Sequence, residues 1–189
     1  MKRLLLGMLL LLGAGHAVAE TPLPGTSVYQ LDVGLIDQQG HGWPWADRRG
    51  QVQIVSMFYT SCSMVCPMIV DTMKLTAQAV HAPGHAPLSL LLVSFDPARD
   101  TASVLRDYAQ RRRLPSPPWM LARTESPAAA RQLAAVLGLQ YRQLPDGDFN
   151  HSSELILLDA EGRVVARTSV IGRLDPEFVH AIERTLADQ

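Results

Sequence analysis

Two cysteines stand four apart in the stretch Met57-Phe58-Tyr59-Thr60-Ser61-Cys62-Ser63-Met64-Val65-Cys66-Pro67, and the 189-residue chain has no others. Thiolate is the form of cysteine that binds metals and attacks disulfides. A helix N-terminus stabilises negative charge, and side chains four apart on a helical turn face the same side. Both sulfurs can therefore reach one ion. They are also close enough for a disulfide, whose Cα atoms stand roughly 4.4–6.8 Å apart, and the spacing alone does not choose. A purely structural staple is the weakest reading. Closing so short a loop stabilises by only about 2 kcal/mol, and a domain of this size has core enough without it.

Soft sulfur donors select Cu(I), zinc and iron–sulfur clusters. Structural zinc wants four closed ligands, and no third cysteine exists. Copper tolerates three. Two thiolates and a neutral imidazole make an uncharged site with Cu(II) and a singly negative one with Cu(I). Of the six histidines, His16 lies in the N-terminal apolar segment, His41 in an expected hairpin, His81 and His85 in a Pro/Gly loop, and His180 in the closing helix. His151 sits just before a buried strand, in a turn that this kind of sheet brings to the cysteine end. It is the third candidate ligand.

The elements that must hold these groups follow from hydrophobic periodicity. Val28 to Leu35 reads as a strand returning through His41–Trp45 as a hairpin, with Trp43-Pro44-Trp45 as a lid on the sheet edge. Gln51–Phe58 and Leu88–Phe95 are apolar on both faces, as strands buried within an α/β sheet are. Between them, Pro67 opens a helical pattern (Ile69, Met73, Val80), with proline suited to the first helical position. Asp96 and Asp100 fall in a turn, with Asp100 or Thr101 placed to cap the next helix. That helix ends in Arg111-Arg112-Arg113, where cations are favoured. Short strands at Trp119–Ala122 and Gln140–Leu144 enclose a helix at Pro127–Leu137. A hairpin, Leu155–Leu158 and Val164–Val170, precedes a last helix, Pro176–Leu186. The order is α/β with a thioredoxin-like layout: a central mixed sheet flanked by helices, with an N-terminal β-hairpin extension.

The N-terminus reads as a targeting segment. A basic Met1-Lys2-Arg3, the apolar Leu4–Leu12 and Ala17-Val18-Ala19 have the layout of a secretory signal peptide over residues 1–19, too short for the ~20 residues of a spanning helix. No cysteine follows it, which argues against lipid attachment. Residues 20–27 then form a linker and 28–189 the folded, copper-binding domain. The protein is expected to be exported and soluble in the periplasm, touching the membrane only if this segment stays uncleaved. A net charge of −1 gives no electrostatic case for nucleic acid.

Three motifs in order resemble the Sco/SenC family of copper-handling proteins. Phe58-Tyr59-Thr60-Ser61-Cys62-Ser63-Met64-Val65-Cys66-Pro67 is similar to the family's aromatic-Thr-x-Cys-x-x-x-Cys-Pro turn. Val93-Ser94-Phe95-Asp96-Pro97-Ala98-Arg99-Asp100-Thr101 is similar to its Asp-Pro-x-Arg-Asp-Thr segment. Asn150-His151-Ser152 with Leu155–Asp159 is similar to its His-Ser turn and following strand. The resemblance implies that Cys62, Cys66 and His151 bind copper. It also implies delivery to the CuA-bearing subunit of cytochrome c oxidase from a periplasmic copper donor. One departure stands out: Met64 occupies a position that is acidic in many members. Met64 and Met68 are expected to pack against the sheet or an adjacent loop, though their thioethers would favour Cu(I). The alternative function is a thiol–disulfide oxidoreductase acting on partner cysteines through Cys62 and Cys66.

Overall fold

Every residue of β3 (Gln53–Phe58) is buried, and the rest of the sheet is built outward from it. In the computed structural model, which describes residues 21–189, β3 pairs in parallel with β4 (Ser89–Ser94). β4 pairs in parallel with β5 (Trp119–Thr124). On its other side β3 is antiparallel to β8 (Leu155–Leu158), which turns back into β9 (Val164–Thr168). The N-terminal hairpin, β1 (Gly34–Asp37) and β2 (Gly42–Pro44), adds to β5 with β1 antiparallel to it. The seven strands run β2-β1-β5-β4-β3-β8-β9. Among the described residues four α-helices flank the sheet: α1 (Val65–Ala79), α2 (Ala102–Arg112), α3 (Pro127–Val136) and α4 (Pro176–Ala187). This is the expected mixed sheet flanked by helices.

The topology makes one end of the sheet chemical. Ser94 of β4 lies opposite Phe58 of β3, so the β3–α1 and β4–α2 loops leave neighbouring strands side by side. Ligands of open α/β sheets collect at such carboxyl ends. Because β8 runs antiparallel to β3, with Gln53 opposite Leu158 and Val55 opposite Ile156, the chain entering β8 also arrives there. The Ser56 hydroxyl donates to the Glu154 carbonyl at 2.7 Å and holds that entry in place.

Several local expectations shift. Val28–Gln30 is a 3₁₀ turn, not strand: the Ser27 hydroxyl caps it, and Tyr29 is drawn inward to pair edge-to-face with Trp45 at 5.2 Å. Trp45 is fully buried, its indole N–H donating to the Val28 carbonyl at 2.9 Å, so this part of the expected lid is core. The expected linker is docked where it is described: Ser27 Oγ donates to the Glu161 carbonyl at 2.6 Å, and Arg49 bonds Thr21. Helix α1 begins at Val65, so Pro67 is its third residue rather than its first. Its missing N–H still falls among the four that lack intrahelical partners. The expected signal peptide lies outside the described residues. Among the described residues no helix is long and apolar enough to cross a membrane.

Candidate metal centre

The cysteine turn begins where β3 stops. The Cys62 N–H donates to the Tyr59 carbonyl at 3.3 Å, closing a turn. The helix then starts without an ordinary cap, because Met64 at the N-cap position makes no side-chain bond to it. A sulfur serves instead: Cys62 Sγ accepts the Cys66 N–H at 3.3 Å. The pair is thus already drawn together at a helix N-terminus, where a thiolate is favoured. Cys62 is 8% exposed and Cys66 0%, both as free thiols.

The two thiols are electrostatically unequal. Burial pushes the Cys66 thiol well up, and the neighbouring Cys62 and Asp100 add to that. Burial would raise Cys62 too, but the N–H groups of Cys66 and Met64, the Cys66 thiol and the Tyr59 hydroxyl outweigh it, and the net direction is down. Cys62 is the thiol that ionises first and the one nearer solvent.

His151 comes from a feature that periodicity did not separate out. It ends β7 (Phe149–His151), which pairs with β6 (Tyr141–Gln143) in a two-stranded ribbon apart from the main sheet, Tyr141 opposite His151. The ring sits among aromatics, 5.0 Å from Phe95 and 6.0 Å from Tyr59 between centroids. Burial lowers its pKa and keeps it neutral, although the Ser152 bond opposes this. Its Nδ1 lies 2.9 Å from the Ser152 carbonyl oxygen. A carbonyl only accepts, so Nδ1 carries the proton and Nε2 keeps its lone pair. That nitrogen points at Cys66 Sγ, 3.7 Å away.

One ligand atom from each of Cys62, Cys66 and His151 lies within 4.8 Å of the other two. The spacing fits a shared ion. With metal–sulfur and metal–imidazole bonds of about 2.3 and 2.0 Å, a trigonal arrangement separates S from N by roughly 3.7 Å, the distance found. Among the described residues no other cluster of histidine, cysteine or carboxylate has this character. His41, His81, His85 and His180 are all exposed and outside it, and His16 lies outside the described residues.

Four supports were not legible from spacing. Asp100 does not cap α2; Thr101 does, accepting the Val104 N–H. Asp100 is instead buried behind the cysteine turn, taking the Thr60 N–H at 3.1 Å and the hydroxyls of Thr60 and Ser94. Arg112 reaches from α2 to the first turns of α1, donating to the Pro67 carbonyl at 3.0 Å and Asp71 at 2.6 Å. The Tyr59 hydroxyl donates to Asp148 at 2.7 Å, joining the cysteine turn to the loop that carries His151. Arg99 backs the same loop, donating to the Gly147 carbonyl and lying 5.9 Å over the Phe149 ring. Tyr59→Phe should therefore leave the main sheet intact but loosen the ribbon, costing about 1 kcal/mol. Hydrogen exchange checks this: faster exchange at residues 141–151 with β3 and β4 unchanged is expected, and uniform protection in both regions would refute it.

Met64 departs from the expected packing: it is 79% exposed. Met68 is 46% exposed, and its methyl lies against Gly172, partly as expected.

Comparison with known proteins agrees with this geometry. The family model described as SCO1/SenC matches residues 24–187. A curated relative, the mitochondrial SCO2 homolog of Bos taurus, is 29% identical over 72% of this chain and 52% of its own length. The chain thus spans about half the length of that relative. The structure of Arabidopsis thaliana ScoI with copper bound superposes with a TM-score of 0.70 at 18% identity, covering 84% of this chain and 98% of that one. BsSco, described as a member of the Sco family of cytochrome c oxidase assembly proteins with a disulfide switch, gives 0.68 at 17% identity over 84% and 96%. At such identities these superpositions speak for the thioredoxin-like fold, while the family match takes in nearly all of the described chain and each of the three ligand candidates: the chain belongs to the SCO1/SenC family.

Proposed function

We propose that this protein is a copper metallochaperone, holding one copper ion as cargo on Cys62, Cys66 and His151. The observation that carries the reading is the convergence of two sulfurs and an unprotonated imidazole nitrogen within 4.8 Å. Thiolate sulfur prefers Cu(I), and imidazole suits copper in either state. The ion would come from a periplasmic donor and pass by ligand exchange to the CuA-bearing subunit of cytochrome c oxidase. Copper bound to ScoI and the oxidase-assembly description of BsSco support that assignment. Residues 1–19 are proposed to export the chain as a signal peptide.

A copper titration tests the site. The wild-type chain should bind one equivalent. His151→Ala should weaken binding by roughly 100-fold, more than the low end of what orienting groups around a metal contribute. An unchanged affinity in that variant would remove His151 from the site.

A second reading, thiol–disulfide exchange with a partner's cysteines, is favoured by one observation: the lowered pKa of the more exposed Cys62 beside the raised Cys66. An attacking thiolate backed by a buried resolving thiol has that asymmetry. It does not require His151, so the dithiol potential of His151→Ala separates the two roles.

A further inference from the structure

Met64 stands between the two candidate ligand cysteines, yet its side chain is the most exposed of the large apolar ones among the described residues. Full burial of a methionine side chain is worth about 1.5–3 kcal/mol, and here that is forgone. The backbone beneath it is not loose. The Cys66 N–H bonds the Cys62 sulfur at 3.3 Å across the turn that contains Met64, and Met64 is the N-cap residue of α1. Its Cα is thereby held beside Cys62, while the side chain beyond has three rotatable bonds and a polarisable thioether. Cys66 closes the inner side of the ligand triangle, being fully buried, and the triangle opens along the edge between Cys62, 8% exposed, and the half-buried His151. A thioether on so flexible a side chain at position 64, standing in solvent, has the length to reach that edge.

We propose that Met64 is a soft, exchangeable fourth donor to the ion held by Cys62, Cys66 and His151. This rests on the metal-centre reading above. Thioether sulfur selects Cu(I), and methionine is familiar as a weak, long ligand beside stronger ones. Such a donor biases the site towards Cu(I). It is also the first to give way when an acceptor's ligand arrives, because it is the weakest and the only one whose side chain stands in solvent.

Met68 provides an internal control. It stands as near Cys66 in sequence as Met64 does, but inside α1 rather than at its cap, and it is less exposed, at 46%. Its methyl lies against the loop at Gly172, 3.2 Å from where a Cβ would stand.

The test loads the full chain with Cu(I) alone, without oxygen, and follows methionine methyl resonances by NMR alongside affinity from chelator competition. At one equivalent the Met64 methyl should shift and the Met68 methyl should not. Met64→Leu should lower Cu(I) affinity by roughly tenfold, at the low end for groups that support a metal site, and Met68→Leu should match wild type. An unmoved Met64 methyl at saturation, or equal affinities for Met64→Leu and Met68→Leu, overturns the proposal. If Cu(I) binding is meanwhile lost in Cys62→Ala, the metal centre stands and Met64's role alone is refuted. A wild-type chain that takes up no Cu(I) overturns both.

Discussion

Cys66→Ala is expected to abolish copper binding while leaving the chain folded. Cys66 is the hinge of the site: its N–H bonds the Cys62 sulfur and its own sulfur faces His151 Nε2 at 3.7 Å. Without it, one thiolate and one imidazole remain, on opposite sides of the gap it filled. The loss should exceed the ~10–100-fold typical of residues that merely orient ligands, and metal analysis of the purified variant should find no bound copper. Folding should suffer little. Removing one buried sulfur leaves a small cavity worth about 1 kcal/mol, which lowers the melting temperature of a chain this long by about 2–4 °C. Cys62→Ala should lose copper equally, with a smaller cavity cost, because Cys62 lies nearer solvent. Retention of one tightly held copper by Cys66→Ala would sink the three-ligand site.

Either cysteine substitution also ends any disulfide chemistry, so these variants test the site rather than the choice between its two uses. His151 bears on that choice. Its lone pair points at the sulfur pair and its proton is committed to Ser152. That arrangement suits a metal ligand, whereas a dithiol has no need of it.

What the sequence made legible was the part that depends on local pattern. The apolar runs at Gln51–Phe58 and Leu88–Phe95 could only be strands buried on both faces, and they are β3 and β4 at the sheet centre. The cysteine turn follows from their order. His151 was reachable because the hairpin after it must lie in the sheet, and an antiparallel strand beside β3 begins at the cysteine end. Beyond this, periodicity carried nothing. The aromatic surroundings of His151 come from Tyr59 and Phe95, just past β3 and β4, and from β6 and β7, and their meeting is long-range. Val28 and Leu31 looked like strand because apolar spacing cannot register a Ser27 cap and a tyrosine turning inward. Met64 was expected to pack because methionine usually does. The turn leaves it outside because the Cys66 N–H bond to the Cys62 sulfur and the helix start fix the backbone around it.

Asp100 is the clearest case of a role invisible in sequence, and it carries the second large effect. In the sequence it is one of two candidate caps; in the fold it is a buried carboxylate with no cation against it, held by the Thr60 N–H and two hydroxyls. It ties the β4–α2 loop to the residue two before Cys62. Asp100→Ala would strand those three donors, and buried donors left unpaired cost ~1–3 kcal/mol each before relaxation. A net loss of about 3 kcal/mol is expected, together with weaker copper binding as the cysteine turn loosens. Asp100→Asn should cost under ~1 kcal/mol. Its carbonyl can take the Thr60 N–H and Ser94 hydroxyl, and its amide can face the Thr60 hydroxyl. The charge itself adds a pH signature. Burial raises the Asp100 pKa, with the Ser94 and Thr60 hydrogen bonds opposing and Asp96 adding to it. The folded state therefore binds this proton more tightly than the unfolded chain does. The resulting stabilisation is present at acid pH and is lost as pH rises through the folded pKa, which lies above the carboxyl's ordinary value. Asp100→Asn has no such proton. Denaturant melts from acid to neutral pH should show wild-type stability falling relative to the asparagine variant as pH rises. Parallel curves would mean that Asp100 titrates alike in both states, and an alanine variant as stable as asparagine would mean that the network does not hold the cysteine turn.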